Sequence, residues 1–272
     1  MRTSIKKTIA FALTLCAISA GTIAPNAGKF ILSPTPISAE AAVQVGDFTF
    51  TRRSVAAATL TNYVGSSTSV TLPTQVTING AKCSVTGIDG SAFFNNSKIK
   101  SVTIPNGYTS IGGSAFMYCS NLSSVSIPSS IVAINSNAFY GTAITSFTVP
   151  SKVKIMGESV FGNCKNLKTL NINTTILTEL KNGLINGCTS LTSVNIPSSI
   201  KKLGNNFAYG CTSLSSITIP SSVTTIELNA FADCTRLSSI SLPSSPPVRG
   251  ISLRCFSRSI RWRAASRSCT AS

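Results

Sequence analysis

Apolar positions in the middle of the chain recur with a period of about 23 residues. Each period places an aromatic residue six positions before a leucine or isoleucine, which is followed by alternating apolar residues and then, in most periods, a proline. Seven coils therefore repeat one apolar template. The aromatic position is filled in turn by Phe93, Phe116, Phe139, Phe161, Ile185, Ala208 and Phe231. In the sixth coil Phe207 directly precedes Ala208, as though the usual Ala-Phe pair were exchanged.

A segment this short cannot bury its own apolar side, so the repeat predicts a solenoid in which each coil covers its neighbours. The L-x-x-V-x-I-P portion alternates apolar and polar residues, which predicts a short inward-facing strand stacked in parallel on the next coil. A second short strand is predicted after the proline, and the Asn-Ala-Phe-x-x-Cys portion is predicted to form one helical turn. The fold class is thus a mainly β repeat solenoid with coils of about 23 residues.

The coil IPSSVTTIELNAFADCTRLSSISLP at 219–243, with its relatives at 104–128 and 196–220, closely resembles the BspA-like leucine-rich repeats of bacterial secreted and surface proteins. The resemblance covers about residues 43–243 and includes a lead-in similar to the family's N-terminal cap, with an inserted hairpin at Asn79-Gly80. It implies a right-handed solenoid with a parallel sheet along one side and a role in binding proteins, cells or extracellular matrix. It supplies no catalytic residues.

The N-terminus has the layout of a secretory signal peptide, with three cations before an apolar run at 8–24. We predict a signal peptide over 1–41, with an A-x-A site just before Ala42 and two earlier cleavage points left open. An uncleaved membrane anchor and a lipoprotein signal at Cys16 are the alternatives. The mature chain is predicted to be secreted or at the cell surface, without a transmembrane span.

The rest of the chain divides into an N-terminal β cap at 42–72, a solenoid at 73–243 and an atypical tail at 244–272. The tail has six arginines, no lysine and Trp262, the only tryptophan. Because composition and phase change together after Pro243, one hypothesis is a slip of the reading frame or gene model. The alternative is a genuine basic tail that adheres to anionic polymers or membranes.

The amino-acid composition limits the catalysis, metal binding and nucleic-acid binding that the chain can support. The 272 residues contain no histidine, which excludes Ser-His-Asp and Cys-His catalysis and imidazole-ligated metals. The seven carboxylates are scattered, so no acid–base pair or metal cluster is apparent. The net charge of +16 is spread over a chain with only 11% charged residues, and no specific nucleic-acid partner is predicted. We therefore predict that the protein is not an enzyme and uses no cofactor or metal.

Cysteines recur three positions after the aromatic residue, and Asn96 and Thr142 fill that position in other coils. This pattern predicts a column of buried thiols rather than disulfides, with adjacent-coil disulfides and a thiolate metal site as alternatives. The predicted structural core accordingly contains Phe93, Phe116, Phe139, Phe161, Phe231, Cys119, Cys164, Cys188, Cys211 and Cys234.

The outward strand residues are mostly small hydroxyls, and they form the candidate binding face. Such a face has few aromatic or arginine anchors, so each contact is expected to be weak and to gain from avidity; alternatively, these residues are simply favourable on exposed strands. The face comprises Lys100, Ser101, Thr103, Ser124, Ser126, Ser146, Thr148, Lys168, Thr169, Asn171, Ser193, Asn195, Ser216 and Thr218. A lysine group for acidic glycans is a second candidate, with a solvated face as its alternative: Lys152, Lys154, Lys165, Lys168 and Lys181.

The predicted function is a secreted or cell-surface repeat protein that binds extracellular proteins or host and matrix surface molecules in the manner of an adhesin. Anionic glycans are further predicted partners. The alternative is a structural spacer, a fragment of a larger surface protein whose active or anchoring module follows at the C-terminus.

Overall fold

The computed structural model describes residues 41–241 and the backbone of the strand at 261–263, so all but the last residue of the predicted signal peptide lies outside the described residues. The described part belongs to one compact unit, Ile37–Ser272. Its strands are short and follow one another as β1 (Val43–Val45), β2 (Phe48–Arg52), β3 (Ala57–Tyr63), β4 (Ser69–Thr71), β5 (Gln75–Ile78), β6 (Ala81–Ile88), β7 (Ser101–Thr103), β8 (Ser110–Ile111), β9 (Ser124–Ser126), β10 (Ala133–Ile134), β11 (Ser146–Val149), β12 (Ile155–Met156), β13 (Thr169–Ile172), β14 (Glu179–Leu180), β15 (Ser193–Val194), β16 (Lys202–Leu203), β17 (Ser216–Thr218), β18 (Thr225–Ile226), β19 (Ser239–Ser241) and β20 (Arg261–Arg263).

Two parallel ladders run along the stack of coils. The first contains the paired sets β4-β7-β9, β11-β13-β15 and β17-β19-β20, and the second contains β6-β8-β10-β12 and β14-β16-β18. Equivalent residues of successive coils stand opposite each other, as Phe147 does to Leu170. Phe147 and Val149 are buried while Ser146 and Thr148 are exposed. The β-solenoid predicted from the repeat is confirmed.

The N-terminal end begins with antiparallel strands. β1, β2 and β3 pair in order, and β3 then pairs in parallel with β6. β5 and β6 form an antiparallel hairpin joined by Asn79 and Gly80. Both have positive φ, 51° and 76°, which is the backbone of a type I′ turn. The predicted hairpin is confirmed, and the first ladder already begins at β4.

The predicted helical turn is wrong, since residues 41–241 contain no helix. In the coil around Phe116, the N–H groups of Ser114, Phe116 and Tyr118 donate to carbonyls of the next coil at 2.8–2.9 Å. The intervening N–H groups of Ala115 and Met117 donate within their own coil. This alternation links each turn to its neighbour along the stack axis, which an α-helix cannot do because its N–H groups bond internally.

Left-handed backbone at two fixed positions is the physical reason for this turn. The residues two before and two after the aromatic position have positive φ in successive coils, as at Ser114 (56°) and Tyr118 (60°). Such residues interrupt a right-handed helix. Asparagine and glycine tolerate this conformation best, and they occupy it at Asn95, Asn137, Gly141, Asn163, Gly183, Gly187, Asn206, Gly210 and Asn229.

The interior consists of columns of side chains that stack from one coil to the next. Ring centroids lie 4.8 Å apart between Phe93 and Phe116, 5.5 Å between Phe116 and Phe139, and 5.8 Å between Phe139 and Phe161. Each of these rings is at most 2% exposed. Ala208 and Phe207 are both fully buried, and the Phe207 ring meets the edge of the next coil's phenylalanine, Phe231, at 5.9 Å.

A column of thiols runs beside the rings. Each donates a hydrogen bond to a carbonyl of the preceding coil, as Cys164 does to Phe139 at 3.1 Å and Cys188 to Phe161 at 3.1 Å. Thr142 fills the column in its coil, and its hydroxyl donates to Phe139 at 2.9 Å. The six cysteines within residues 41–241 are free and buried: Cys83, Cys119, Cys164, Cys188, Cys211 and Cys234.

Gly157 marks a place where successive coils come close together. A Cβ on Gly157 would lie 2.2 Å from the backbone nitrogen of Ser136, whereas one on Gly113 would lie 3.5 Å from the Ser136 carbonyl oxygen. We expect Gly157→Ala to lower the free energy of unfolding by about 1–3 kcal/mol through overpacking. Gly113→Ala is its control and is expected to raise it by about 0.4–1 kcal/mol, because alanine restricts the unfolded chain. Urea unfolding of both variants measures the difference; effects of the same sign would contradict the close coil contact.

Candidate functional site

The candidate binding face lies on the first ladder. Twelve of its fourteen residues are exposed, while Ser101 and Thr169 are half-buried. Lys100 and Lys168 directly precede β7 and β13, and the other members lie on the first-ladder strands or, as Asn195 does, directly after one. The face is therefore one continuous row of short polar side chains, which we call the sheet face.

Some sheet-face residues are engaged by the fold itself. The Ser101 hydroxyl donates to that of Ser69 at 2.8 Å. The Asn195 amide both donates to the Ile172 carbonyl at 3.0 Å and accepts from the Ile172 N–H at 2.7 Å. Asn195 thus extends the short strand β15 by side-chain pairing, and its amide is not free to contact a ligand.

The predicted lysine group is distributed around the coil. Lys168 precedes β13 in the first ladder, Lys152 and Lys154 lie between β11 and β12, and Lys165 follows the turn. Lys181 follows β14 and pairs with Glu179 at 2.5 Å. The five ammonium groups therefore occupy separate positions of the coil and do not form a single column.

An ionic row on the second ladder was missed by the sequence analysis. The Lys202 ammonium lies 3.3 Å from Glu179 and 2.6 Å from Glu227. Burial acts to raise the pKa of Glu179, but hydrogen bonds and charge from Lys181 and Lys202 outweigh it and lower that pKa. The sequence carried a signal for this row, because Glu179 and Lys202 occupy the same position of adjacent coils and stand opposite each other in register. The Glu179 and Glu227 carboxylates therefore pair with lysines and not with each other.

The column thiols have raised pKa values because they are buried. Burial raises the pKa of Cys119 and Cys164 to about 11 and that of Cys234 to about 12. It also raises the pKa of Cys188 and Cys211. Since the thiolate is the nucleophile and the metal ligand, these groups are poor candidates for either role at neutral pH. In the part of the chain that the structure describes, no group of three His, Cys, Asp or Glu side chains is placed to hold a metal.

A row of three rings on the turn side, of which Phe94 and Tyr118 are exposed and Tyr140 is half-buried, was also missed. Phe94, Tyr118 and Tyr140 follow the buried aromatic position by one or two residues and contact each other in sequence. We call these three rings the aromatic ridge. Because they occupy only three coils and shift by one position at Tyr118, no strict period distinguishes them in the sequence.

The stacked coils, two parallel ladders and interior column of leucine and isoleucine define a leucine-rich-repeat β-solenoid. The family comparison agrees: the BspA type leucine rich repeat region matches in six copies, over residues 86–212 and 174–265. The chain belongs to this family. The matched range includes β20, which pairs with β19 so that Trp262 stands opposite Ile240 in register.

Solved structures show the same fold. A leucine-rich repeat protein from Eubacterium ventriosum is 34% identical over 54% of this chain and 40% of its own, with a TM-score of 0.51. The T. pallidum leucine rich repeat protein is 20% identical, covering 72% of this chain and 90% of its own, with a TM-score of 0.51. Pneumococcal vaccine antigen PcpA is 17% identical, covering 75% and 71%, with a TM-score of 0.55.

No match was found among curated proteins. Over the described residues, no helix has the length and apolar character needed to cross a membrane.

Proposed function

We propose that this protein is secreted or displayed at the cell surface and binds extracellular proteins, or host and matrix surface molecules, in the manner of an adhesin. The observation that carries the proposal is the sheet face, a row of exposed short polar side chains on successive parallel strands of a BspA-type solenoid. The signal-peptide layout of the N-terminus supports an extracellular location.

The chemistry of the sheet face sets the expected mode of binding. Hydroxyl side chains such as Ser124, Ser146 and Thr148 offer hydrogen bonds but little apolar area. Large aromatic and arginine anchors dominate most interface energies, so each contact here is expected to be weak. A partner that spans several coils, or that is itself multivalent, gains affinity by avidity.

A binding role without catalysis is supported by the reactive groups themselves. The chain has no histidine. Glu179 and Glu227 are paired with Lys202, and the column thiols have raised pKa values. No general acid, general base or activated nucleophile is thereby assembled at the sheet face.

The test is binding of the whole protein to immobilised matrix proteins, such as fibronectin, laminin and collagen, at low and physiological salt. The matched variant replaces the six tail arginines with glutamine. Binding to at least one matrix protein that survives physiological salt and is unchanged in the variant is the expected result. Binding that needs the arginines and vanishes with salt would contradict the proposal and make the repeats a scaffold.

The tail at 244–272 contributes one strand to the first ladder, because β20 pairs with β19. The hypothesis that the reading frame slips after Pro243 stays a prediction, which sequencing of the coding DNA through that junction tests.

A further inference from the structure

The aromatic ridge is a surface distinct from the sheet face. Phe94 and Tyr118 are 49% and 44% exposed. Ring centroids lie 6.0 Å apart between Phe94 and Tyr118 and 5.6 Å apart between Tyr118 and Tyr140, each pair in an edge-to-face arrangement. Single exposed rings are ordinary, whereas rings in contact with one another add to a larger apolar patch, and large patches are typical of binding sites.

Tyr118 adopts a backbone conformation that disfavours its own side chain. Its φ is 60°, in the left-handed region. The equivalent residues of neighbouring coils are Asn95, Gly141 and Asn163, which tolerate that region. A bulky residue held there is an outlier, and such outliers cluster at functional sites. The strained position therefore points to a role for the tyrosine ring that asparagine would not provide.

The next coil leaves room for each ring. A Cβ on Gly141 would lie 2.9 Å from Cδ1 of Tyr118, and one on Gly162 would lie 2.6 Å from Cδ2 of Tyr140. The rings thus lie against backbone where a side chain would clash. A ring held in place before binding loses little conformational entropy when a ligand stacks on it.

A shallow groove of about 440 Å³ begins at Tyr118 and extends to Asn163, Lys165 and Asn166, two coils away. Two coil spacings amount to roughly 10 Å. The Asn163 amide donates to the Tyr140 hydroxyl, which fixes one wall. Lys165 is exposed and, among the described residues, has no ion-pair partner. The groove therefore combines an aromatic face, amide and hydroxyl groups, and a free positive charge.

We propose that this groove binds an acidic oligosaccharide. A pyranose ring has an apolar C–H face that packs on the negative face of the Tyr118 ring. The Asn166 amide and the Ser120 hydroxyl, which both line the groove, hydrogen-bond the sugar hydroxyls. The Lys165 ammonium pairs with the sugar carboxylate. None of these contacts uses the sheet face, so this proposal stands independently of protein binding there.

The lining favours a sugar over a peptide. Besides Tyr118, Ala143 is the only apolar side chain that lines the groove. Peptide segments that dock on protein grooves insert aromatic or aliphatic anchors into apolar pockets. A groove of hydroxyls, amides and one cation offers no such pocket, but it matches the polar rim of a saccharide.

The first test removes the ring while keeping the fold. The whole protein is titrated calorimetrically with a hyaluronan tetrasaccharide, which carries glucuronate carboxylates. Tyr118→Asn is expected to weaken binding at least tenfold while the melting temperature stays the same or rises, since asparagine suits the left-handed backbone. The control is Tyr209→Asn, which removes a tyrosine that is 40% exposed outside the groove, and it is expected to bind as the parent does.

The second test separates the site charge from the overall charge of +16. Lys165→Gln is expected to weaken hyaluronan binding at least tenfold, whereas Lys201→Gln, an equal change of net charge at an exposed lysine outside the groove and outside the predicted lysine group, is expected to leave it unchanged. Binding of a neutral N-acetylglucosamine tetrasaccharide is expected to be the same in the Lys165→Gln variant as in the parent protein. Absent tetrasaccharide binding, equal effects of the two lysine variants, or displacement of Tyr118-dependent binding only by a proline-rich peptide would each overturn the assignment.

Discussion

Raising the pH from 9 towards 11 is expected to destabilise the solenoid strongly in the presence of reductant. The five column thiols have raised pKa values because burial disfavours the thiolate; the pKa of Cys119 and of Cys164 is raised to about 11. The unfolded chain releases these protons near the ordinary thiol pKa of 9.0. Above that pH the folded state holds more protons than the unfolded state, so stability falls as pH rises. The stability contributed by the protonated thiols is fully present below about pH 9 and is lost as the pH rises through the pKa values of the folded state.

The size of the effect follows from the number of thiols. At pH 10 the folded thiols remain protonated while those of the unfolded chain are mostly ionised, so each column thiol lowers the free energy of unfolding by on the order of 1 kcal/mol and the five together by several kcal/mol. Native domains are stable by about 5–15 kcal/mol. Urea unfolding across pH 8–11 measures the slope. Cys119→Thr, which repeats the natural Thr142, is expected to reduce the slope by one proton; an unchanged slope would contradict the buried neutral column.

Phe161→Ala is expected to lower the free energy of unfolding by about 3–5 kcal/mol. The Phe161 ring is fully buried and lies 5.8 Å from the Phe139 ring and 4.8 Å from the Phe147 ring. Alanine would leave a cavity between two coils, because the close-packed neighbouring side chains relax only partly into the space. Denaturant unfolding with a fixed m-value measures the loss.

The matched variant is Phe161→Ile, because Ile185 occupies the same position of the next coil and is also fully buried. A branched aliphatic side chain keeps most of the volume, so the expected loss is less than half that of the alanine variant. Equal losses in the two variants, or a melting temperature unchanged by Phe161→Ala, would contradict the account of the core.

The coil interior could be predicted from the sequence because stacking repeats one environment every 23 residues. Phe116, Phe139 and Cys164 lie in buried columns because a side chain that fits one coil also fits the next. The turn was mispredicted for a different reason. Its shape depends on the φ of residues such as Asn137 and on hydrogen bonds to the next coil, and a local pattern of apolar residues reports neither.

The surface was less predictable than the core. Outward positions of the first ladder follow from strand alternation, so exposed residues such as Thr148 were correctly assigned to the surface. The ionic row of Lys202 depends on which coils carry Glu179 and Glu227, and the aromatic ridge on a shift of one residue at Tyr118. Both arise from contacts between coils that have no fixed period, so the repeat template alone does not indicate them.

The most direct test of the proposed function compares two doubly substituted forms of the whole protein in the matrix-binding assay. Thr148→Glu with Asn171→Glu alters two opposed, exposed residues of the sheet face. Thr178→Glu with Thr224→Glu makes the same change in charge at exposed residues that directly precede strands of the second ladder. We predict at least tenfold weaker binding for the first form, about 1.4 kcal/mol, and unchanged binding for the second. Equal binding by both forms would contradict the sheet face as the binding surface.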